Sequence, residues 1–212
     1  MKKAVIVGAS SPLKTAFLEK ESGYFVACDK GYEAFLSLGK EPDLLVGDFD
    51  TLDRRKVKNP GKTIVLNPIK DDTDVFFAVK HLLALGYDTF SFYGCLGGGR
   101  IEHEIANIAI LNFLKKKGCE ASLFTNDLSQ MLFVLRNEKK IFPADEKGFL
   151  SVFAQEENVI VSEKNLKYEL SDYNLSPFVP LGVSNEFLEG KEGTIEVRGG
   201  NLLVIKECHE YR

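Results

Sequence analysis

Residues 75–94, VFFAVKHLLALGYDTFSFYG, determine the predicted fold class of this chain. The apolar residues of one helix face recur at helical spacing and are Val75, Val79, Leu82 and Leu83. Gly86 is a typical helix stop, and the short apolar run at 90–94 ends in glycine, as a buried strand does. A helix followed directly by a buried strand is the unit from which α/β sheets are built.

The same alternation extends to both sides of this stretch. Short apolar runs predict strands at 4–8, 24–28, 63–66 and 121–125. Amphipathic stretches predict helices at 13–20, 32–38 and 101–117. Because the strands are continuously apolar, we expect an α/β N-terminal domain with a mainly parallel sheet and helices on both faces.

The pattern changes after about residue 127, where short β-rich segments are separated by glycines. No long helical period remains, which predicts a small all-β sandwich or barrel. We therefore predict two domains, 1–127 and 128–212. Within the second, residues 196–202 contain Gly199-Gly200 between two apolar runs and predict a hairpin.

Composition excludes several classes of protein. The 212 residues are 44% hydrophobic, enough for a full core, and the net charge of −4 argues against a broad nucleic-acid surface. The four cysteines lack metal-ligand spacing and are interpreted as reduced thiols. No run approaches the roughly 20 apolar residues of a membrane helix. We expect a cytoplasmic protein without membrane or nucleic-acid partners.

Charged and glycine-rich loops follow the predicted strands. The carboxyl ends of parallel strands share one rim of the sheet, which is where ligands bind. The rim residues are Asp29, Lys30 and Gly31, then Asp48 and Asp50, then Lys70, Asp71, Asp72, Thr73 and Asp74, then Gly97, Gly98, Gly99 and Arg100. Several carboxylates in one place repel unless a cation binds, and oxygen-only ligands suit Mg²⁺.

The glycine loop adds an anion site to this rim. Gly97-Gly98-Gly99 directly precedes a predicted helix, where free N–H groups and the helix dipole attract phosphate. Arg100 adds a permanent forked positive charge. Acidic residues for a metal and a cradle for phosphate together indicate phosphoryl chemistry on a nucleotide.

Each motif also has a structural interpretation. One of residues 71–73 suffices to cap the next helix, and residues 48–50 suffice for an Asx turn. Glu102 and Glu104 suit the first turn of a helix, and His103 suits a surface or capping position. The coincidence of several such loops on one rim favours a ligand site, because independent turns do not predict it.

Four motifs occur in order: CDKGYEAFLSLGKEPDLLVGDFDTL, KDDTDVFFAVKHL, YGCLGGGRIEHEIANIAIL and LGVSNEF. Together they resemble the thiamin pyrophosphokinase family over nearly the whole chain. The resemblance implies Mg²⁺-dependent transfer of the pyrophosphoryl group of ATP to the thiamin hydroxyl, giving thiamin diphosphate and AMP. It also implies a homodimer whose active sites combine the α/β part of one chain with the β part of the other.

The resemblance, with the rim, gives each candidate residue a role. The expected metal ligands are Asp48, Asp50 and Asp74. The expected nucleotide-binding residues are Asp29, Lys30, Gly31, Thr73, Gly97, Gly98, Gly99 and Arg100. Thiamin is expected to contact Lys70, Asp71, Ser184 and Asn185. The expected catalytic residues are Asp71, Asp74 and Arg100, with Asp71 closest to the thiamin hydroxyl as orienter or base.

Two residues depart from the family pattern, and other functions stay open. Lys30 replaces a usual glycine and either contacts phosphate or crowds the nucleotide, and Glu102 stands where aspartate is common. The alternatives are a pyrophosphokinase for another hydroxymethyl compound, such as a pterin, and a nucleotide- or thiamin-binding regulator without catalysis. A purely structural α/β protein leaves the charged rim unexplained.

Overall fold

The computed structural model describes residues 1–49, 57, 62–67 and 71–211. The chain forms two compact units. The first comprises Met1–Ile110, Cys119–Leu128 and Tyr211, and the second comprises Leu111–Gly118 and Ser129–Glu210. Within the described ranges, no helix has the length and hydropathy that crossing a membrane requires.

The first unit alternates strands and helices. Its strands are β1 (Lys3–Val7), β2 (Tyr24–Cys28), β3 (Leu44–Gly47), β4 (Thr63–Val65), β5 (Thr89–Tyr93) and β6 (Glu120–Phe124). Its helices are α1 (Phe17–Lys20), a 3₁₀ helix (Asp29–Gly31), α2 (Tyr32–Ser37), α3 (Asp74–Ala84) and the start of α4 (Ile101–Lys116). The helix and strand predicted from residues 75–94 are α3 and β5.

The strands of the first unit form a parallel sheet in the order β6-β5-β1-β2-β3-β4. In the central strand, Val5 pairs with Phe25 of β2 and with Ser91 of β5. Ala4 to Val7 are 0% exposed, as expected for a strand covered on both faces. The predicted α/β domain with a parallel sheet is confirmed.

The first predicted helix is shorter than its sequence pattern indicates. The prediction began it at Leu13, but α1 begins at Phe17. The backbone N–H of Lys14 donates to the carbonyl of Asn126 at 2.9 Å, a neighbouring loop of the same unit. Lys14 is therefore paired outside the helix, and this long-range pairing overrides the local pattern there.

The second unit is antiparallel. Its strands are β7 (Gln130–Phe142), β8 (Phe149–Ala154), β9 (Val159–Lys164), β10 (Leu170–Leu175), β11 (Asn185–Glu186) and β12 (Gly193–Glu207). One edge of β12 pairs with β7, and its other edge pairs first with β9 and then with β8. The side chains between them form an apolar core around Val161, Ile195 and Val204. Closure into a sandwich or barrel, and a domain boundary at 127/128, stay predictions.

The predicted hairpin at 196–202 is wrong. These residues lie inside β12, and its register against β7 shifts between Val197 and Asn201. Gly199 has φ +87, and a Cβ there would lie 2.3 Å from the carbonyl oxygen of Asn158. The two glycines therefore form a bulge in a continuous strand, because a close backbone approach requires glycine there.

A buried asparagine fastens this bulge to the rest of the second unit. Asn201 is 0% exposed. Its Oδ1 accepts from Arg136 Nη1 at 2.8 Å, and its Nδ2 donates to Asn112 Oδ1 at 3.0 Å. Its backbone N–H donates to Glu156 Oε1 at 2.9 Å. The bulge thus presents its buried polar atoms to matched partners.

Replacement of Asn201 by alanine is expected to lower the free energy of unfolding by about 2–3 kcal/mol, because it leaves buried polar partners unpaired. Chemical denaturation measures the change. Asn174→Ala, on the exposed part of β10, is the matched control and is expected to cost less than about 0.5 kcal/mol. Equal losses in the two variants would contradict this account.

Candidate active site

Loops at the carboxyl ends of the parallel strands surround a cavity of about 700 Å³ in the first unit. This volume lies within the range of sites for small molecules and cofactors. The lining includes Gly8–Ser11 after β1, Asp29 and Lys30 after β2, Asp48 after β3, Asp71–Asp74 at the start of α3, and Gly94, Gly97, Gly98 and Arg100 after β5. Residues far apart in sequence thus share one rim.

Three aspartates approach each other in this cavity. The carboxyl of Asp29 hydrogen-bonds the carboxyl of Asp74, and Asp48 is close enough to act on it by its charge. Burial first, and then Asp74 and Asp48, raise the pKa of Asp29 to about 7, while the N–H of Phe49 lowers it. Crowded carboxyl groups repel one another, and a bound cation relieves this repulsion.

The backbone around Asp29 is shaped to permit this approach. Asp29 has φ +46, a left-handed conformation uncommon outside glycine, and Phe49 N donates to its Oδ1 at 3.4 Å. Gly47 lies beneath the carboxyl, and a Cβ there would be 1.9 Å from Asp29 Oδ1. Glycine at the end of β3 is therefore a requirement of the Asp29 position.

The segment before α3 combines capping with site residues. Thr73 is the N-cap, and its Oγ1 accepts from Phe76 N at 3.1 Å. Asp72 pairs with Lys80. The cap leaves Asp74 in the first turn, where it meets Asp29, and leaves Asp71 exposed at the cavity. The capping interpretation holds for Thr73, and its side chain lines the cavity as well.

The glycine loop has a backbone that other residues rarely adopt. Gly97, Gly98 and Gly99 have φ of +76, +85 and +80. Arg100 Nε donates to Glu102 Oε1 at 2.8 Å, and both side chains are mostly exposed. Gly97 and Gly98 line the cavity together with Arg100, whereas Gly99 does not.

Some predicted residues are not among those that line this cavity. Asp50 and Lys70 are outside the described residues. Gly31 lines a second cavity of about 200 Å³ that shares Gly8–Ser11 and Lys30 with the first. Ser184 and Asn185 belong to the second unit, where Ser184 is exposed and Asn185 is buried.

Sequence reasoning missed the loop at 8–11 and Asn107. Ser10 Oγ donates to Gly97 O at 3.0 Å and its N–H donates to Gly94 O at 2.9 Å, so this loop braces the glycine loop. The rule applied to the other strands, that their carboxyl ends carry the site, finds it. Asn107 Nδ2 donates to Cys95 O at 2.7 Å from within α4, and no motif marks it. His103, interpreted as a surface or capping residue, also lines the cavity.

Two family models match the chain. "Thiamin pyrophosphokinase, catalytic domain" matches residues 16–123, and "Thiamin pyrophosphokinase, vitamin B1 binding domain" matches residues 138–202. The chain belongs to the thiamin pyrophosphokinase family. The predicted resemblance is confirmed, and so is the prediction of an enzyme of this family, a thiamin diphosphokinase.

Solved thiamin pyrophosphokinase structures share the fold. The Bacillus subtilis protein is 22% identical, with 98% of this chain and 99% of that chain covered and a TM-score of 0.82. The Geobacillus thermodenitrificans protein is 23% identical, with 98% of each chain covered and a TM-score of 0.80. The yeast protein is 14% identical, with 98% and 86% covered and a TM-score of 0.79. No curated protein matches the chain.

Asp29→Asn is expected to raise the thermal midpoint of the metal-free protein at about pH 8 and to change it little at about pH 4. The pKa of Asp29 is raised from 3.8 to about 7 in the folded state. Between these values the unfolded chain releases a proton that the folded chain keeps, so this carboxyl lowers stability as pH rises from about 4 to about 7.

Differential scanning fluorimetry in a chelator across this pH window measures the effect of the substitution. A change in midpoint that is equal at both ends of the window would contradict the raised pKa of Asp29.

Proposed function

We propose that this chain transfers the β,γ-pyrophosphoryl group of ATP to the hydroxyl of thiamin, in a Mg²⁺-dependent reaction that gives thiamin diphosphate and AMP. The observation that carries the proposal is the meeting of Asp29, Asp48 and Asp74 in a cavity that the glycine loop also lines. Metal-bound polyphosphate requires both parts, because carboxylates bind the cation and N–H groups bind phosphate. Membership of the thiamin pyrophosphokinase family supports ATP and thiamin as substrates.

The carboxyl groups fit a hard divalent cation. A bound cation would relieve the repulsion among the neighbouring carboxyl groups of Asp29, Asp48 and Asp74. Among the described residues, no three acidic, histidine or cysteine side chains form a metal cage by themselves. Mg²⁺ is usually held by one or two carboxylates and completes its coordination with water and substrate phosphates.

We assign the cation to Asp48 and Asp74, with Asp29 hydrogen-bonded to Asp74 as a further acid of the same cluster. Asp50 is assigned with them from the sequence. Mg²⁺ held by these residues would supply charge neutralisation of the polyphosphate, which would make the β-phosphorus more open to attack.

The basic and glycine-rich parts of the rim bind the phosphates in this proposal. The backbone N–H groups of Gly97 and Gly98 and the guanidinium of Arg100 hold the transferred group. Arg100 is exposed and donates to Glu102, whose side chain is exposed as well. A phosphate that binds Arg100 therefore has to displace only a weak, solvated ion pair. Lys30 lines both cavities and has no ion pair in the described part of the chain, which leaves its charge for the nucleotide.

The chemical step moves one group and one proton. The thiamin hydroxyl oxygen attacks the β-phosphorus, the bond from that phosphorus to the oxygen of the α-phosphate breaks, and AMP leaves with the electron pair. Asp71 lies exposed at the cavity and orients the hydroxyl or accepts its proton. The glycine loop and Arg100 stabilise the charge on the group in transit.

Thiamin is assigned to Lys70, Asp71 and Ser184. The predicted contact Asn185 is buried with its amide fully hydrogen-bonded, so we assign it to support Ser184 from the next position. Following the family resemblance, we propose a homodimer in which each site combines the α/β part of one chain with the β part of the other. Sedimentation of the protein with activity measured across the same concentrations tests this assembly, and an active monomer would contradict it. The cytoplasmic location of the protein stays a prediction.

Incubation with ATP, Mg²⁺ and thiamin is expected to give AMP and thiamin diphosphate in equal amounts, and chelation is expected to abolish both. Chromatography of the products measures this directly. A parallel panel with a hydroxymethyl pterin separates the two kinase functions. Tight binding of ATP or thiamin without any product would favour the non-catalytic regulator and reject the proposal.

Asp74→Asn is expected to lower kcat at least about a hundredfold, because loss of a metal-binding charge removes several kcal/mol of transition-state stabilisation. Asp88→Asn is the matched control. Asp88 lies next to the opposite end of β5, where its Oδ1 accepts from Lys2 N at 3.0 Å, and its variant is expected to keep wild-type kcat. Wild-type kcat and Mg²⁺ dependence in the Asp74 variant would refute the metal assignment.

A further inference from the structure

Glu163 is a carboxylic acid in the apolar core of the second unit. It lies on β9, on the same face as Val159 and Val161, and it is 1% exposed. Its Oε2 accepts from Asn185 Nδ2 at 3.0 Å. Its Oε1 is buried and has no hydrogen-bond partner among the described residues. Burial without a second partner opposes folding, so stability alone does not explain an acid at this position.

The partner of Glu163 has no spare hydrogen-bonding capacity. Asn185 Nδ2 donates to Glu163 and also to Tyr168 O at 2.7 Å, and Asn185 Oδ1 accepts from Tyr168 N at 3.0 Å and from Glu186 N at 2.9 Å. Both amide hydrogens and both carbonyl lone pairs are therefore in use. Glu163 takes the amide hydrogen that the backbone of Tyr168 leaves, and it adds a fourth hydrogen bond to the three that Tyr168 and Glu186 make with this side chain.

The residue before Asn185 has an unusual backbone. Ser184 has φ +59, which serine adopts rarely. Its backbone N–H donates to Ser151 Oγ at 2.9 Å, and its side chain is exposed. Ser151 on one side and the saturated Asn185 on the other hold this conformation, so the direction of the Ser184 hydroxyl depends on both anchors.

We propose that Glu163 is a positioning residue for thiamin, which holds the Asn185 amide and thereby directs the Ser184 hydroxyl toward the substrate. The inference rests on the proposed function, in which Ser184 contacts thiamin. Glu163 itself is buried and touches no substrate. Burial raises its pKa to about 7, and the Asn185 hydrogen bond opposes that rise.

A leucine fills the same space without accepting a hydrogen bond. Glu163→Leu is therefore expected to keep or raise the thermal midpoint but to raise the KM for thiamin about tenfold, through loss of one buried hydrogen bond. The KM for ATP is expected to stay unchanged. Glu163→Gln keeps an acceptor oxygen and is expected to restore the KM for thiamin to within about twofold of wild type.

Val161→Ala is the matched control, because it alters the same core and the same face of β9 without touching the amide. It is expected to lower the thermal midpoint and to leave the ratio of the two KM values unchanged. A wild-type KM for thiamin in Glu163→Leu would overturn the proposal. An equal rise of that KM in Val161→Ala would overturn it as well, since core loosening would then suffice.

Amide hydrogen exchange separates this inference from the proposed function. Glu163→Leu is expected to speed exchange at the backbone N–H groups of Ser184 and Glu186, relative to the rest of the second unit, and Val161→Ala is not. Faster local exchange with no turnover of thiamin by the wild-type protein would reject the proposed function and with it the role toward thiamin. Unchanged exchange would overturn the positioning by Glu163 whatever the activity.

Discussion

Parallel pairing forces carboxylates that are distant in sequence into one small space. β1, β2, β3 and β5 run in the same direction, so the residues that follow them meet at one rim. Asp29 and Asp74 are separated by 45 positions in the sequence and still share a hydrogen bond. The sheet supplies the rigidity that keeps like charges together, because its central strand is entirely buried. A loop without this support would relax away from the repulsion.

Other features of the first unit follow from this forced approach. Gly47 leaves room for the Asp29 carboxyl, and Asp29 accepts a left-handed backbone to reach it. The Thr73 cap starts α3 where Asp74 completes the pair. Ser10 braces the glycine loop, which lines the same cavity and brings N–H groups rather than carboxylates. Carboxylates and backbone N–H groups thus come from loops at the same rim of the sheet. A site for a metal and a polyphosphate requires both kinds of group.

The regular part of this fold was predictable from sequence because hydrophobic period and short connections determine it locally. Residues 75–94 fold as the helix and strand that their spacing indicates. The prediction failed where long-range pairing decided the outcome. Gly199-Gly200 occurs in hairpins and in bulges alike, and only pairing with β7 distinguishes the two. The start of α1 depends on Asn126, over a hundred residues away in the sequence.

The candidate site was predictable to the extent that it follows strand ends. That rule finds Asp29, Asp48 and Asp74, and applied to β1 it also finds the loop with Ser10. It does not find Asn107, whose role depends on where α4 passes Cys95. Nor does it find that Asp29 has a raised pKa, since that depends on burial and on the neighbouring Asp74.

Two buried asparagines of the second unit differ in the hydrogen-bond partners that they use. The side-chain amide and the backbone N–H of Asn201 each have a hydrogen-bond partner, so this buried residue holds the bulge in place and stabilises the fold. Asn185 is equally saturated, but it uses Glu163, an acid left with one unpaired oxygen. A leucine at 163 would spare that desolvation and would remove one of the four hydrogen bonds that hold the amide. The proposed role in directing the neighbouring Ser184 accounts for an acid at this depth, where core stability alone does not.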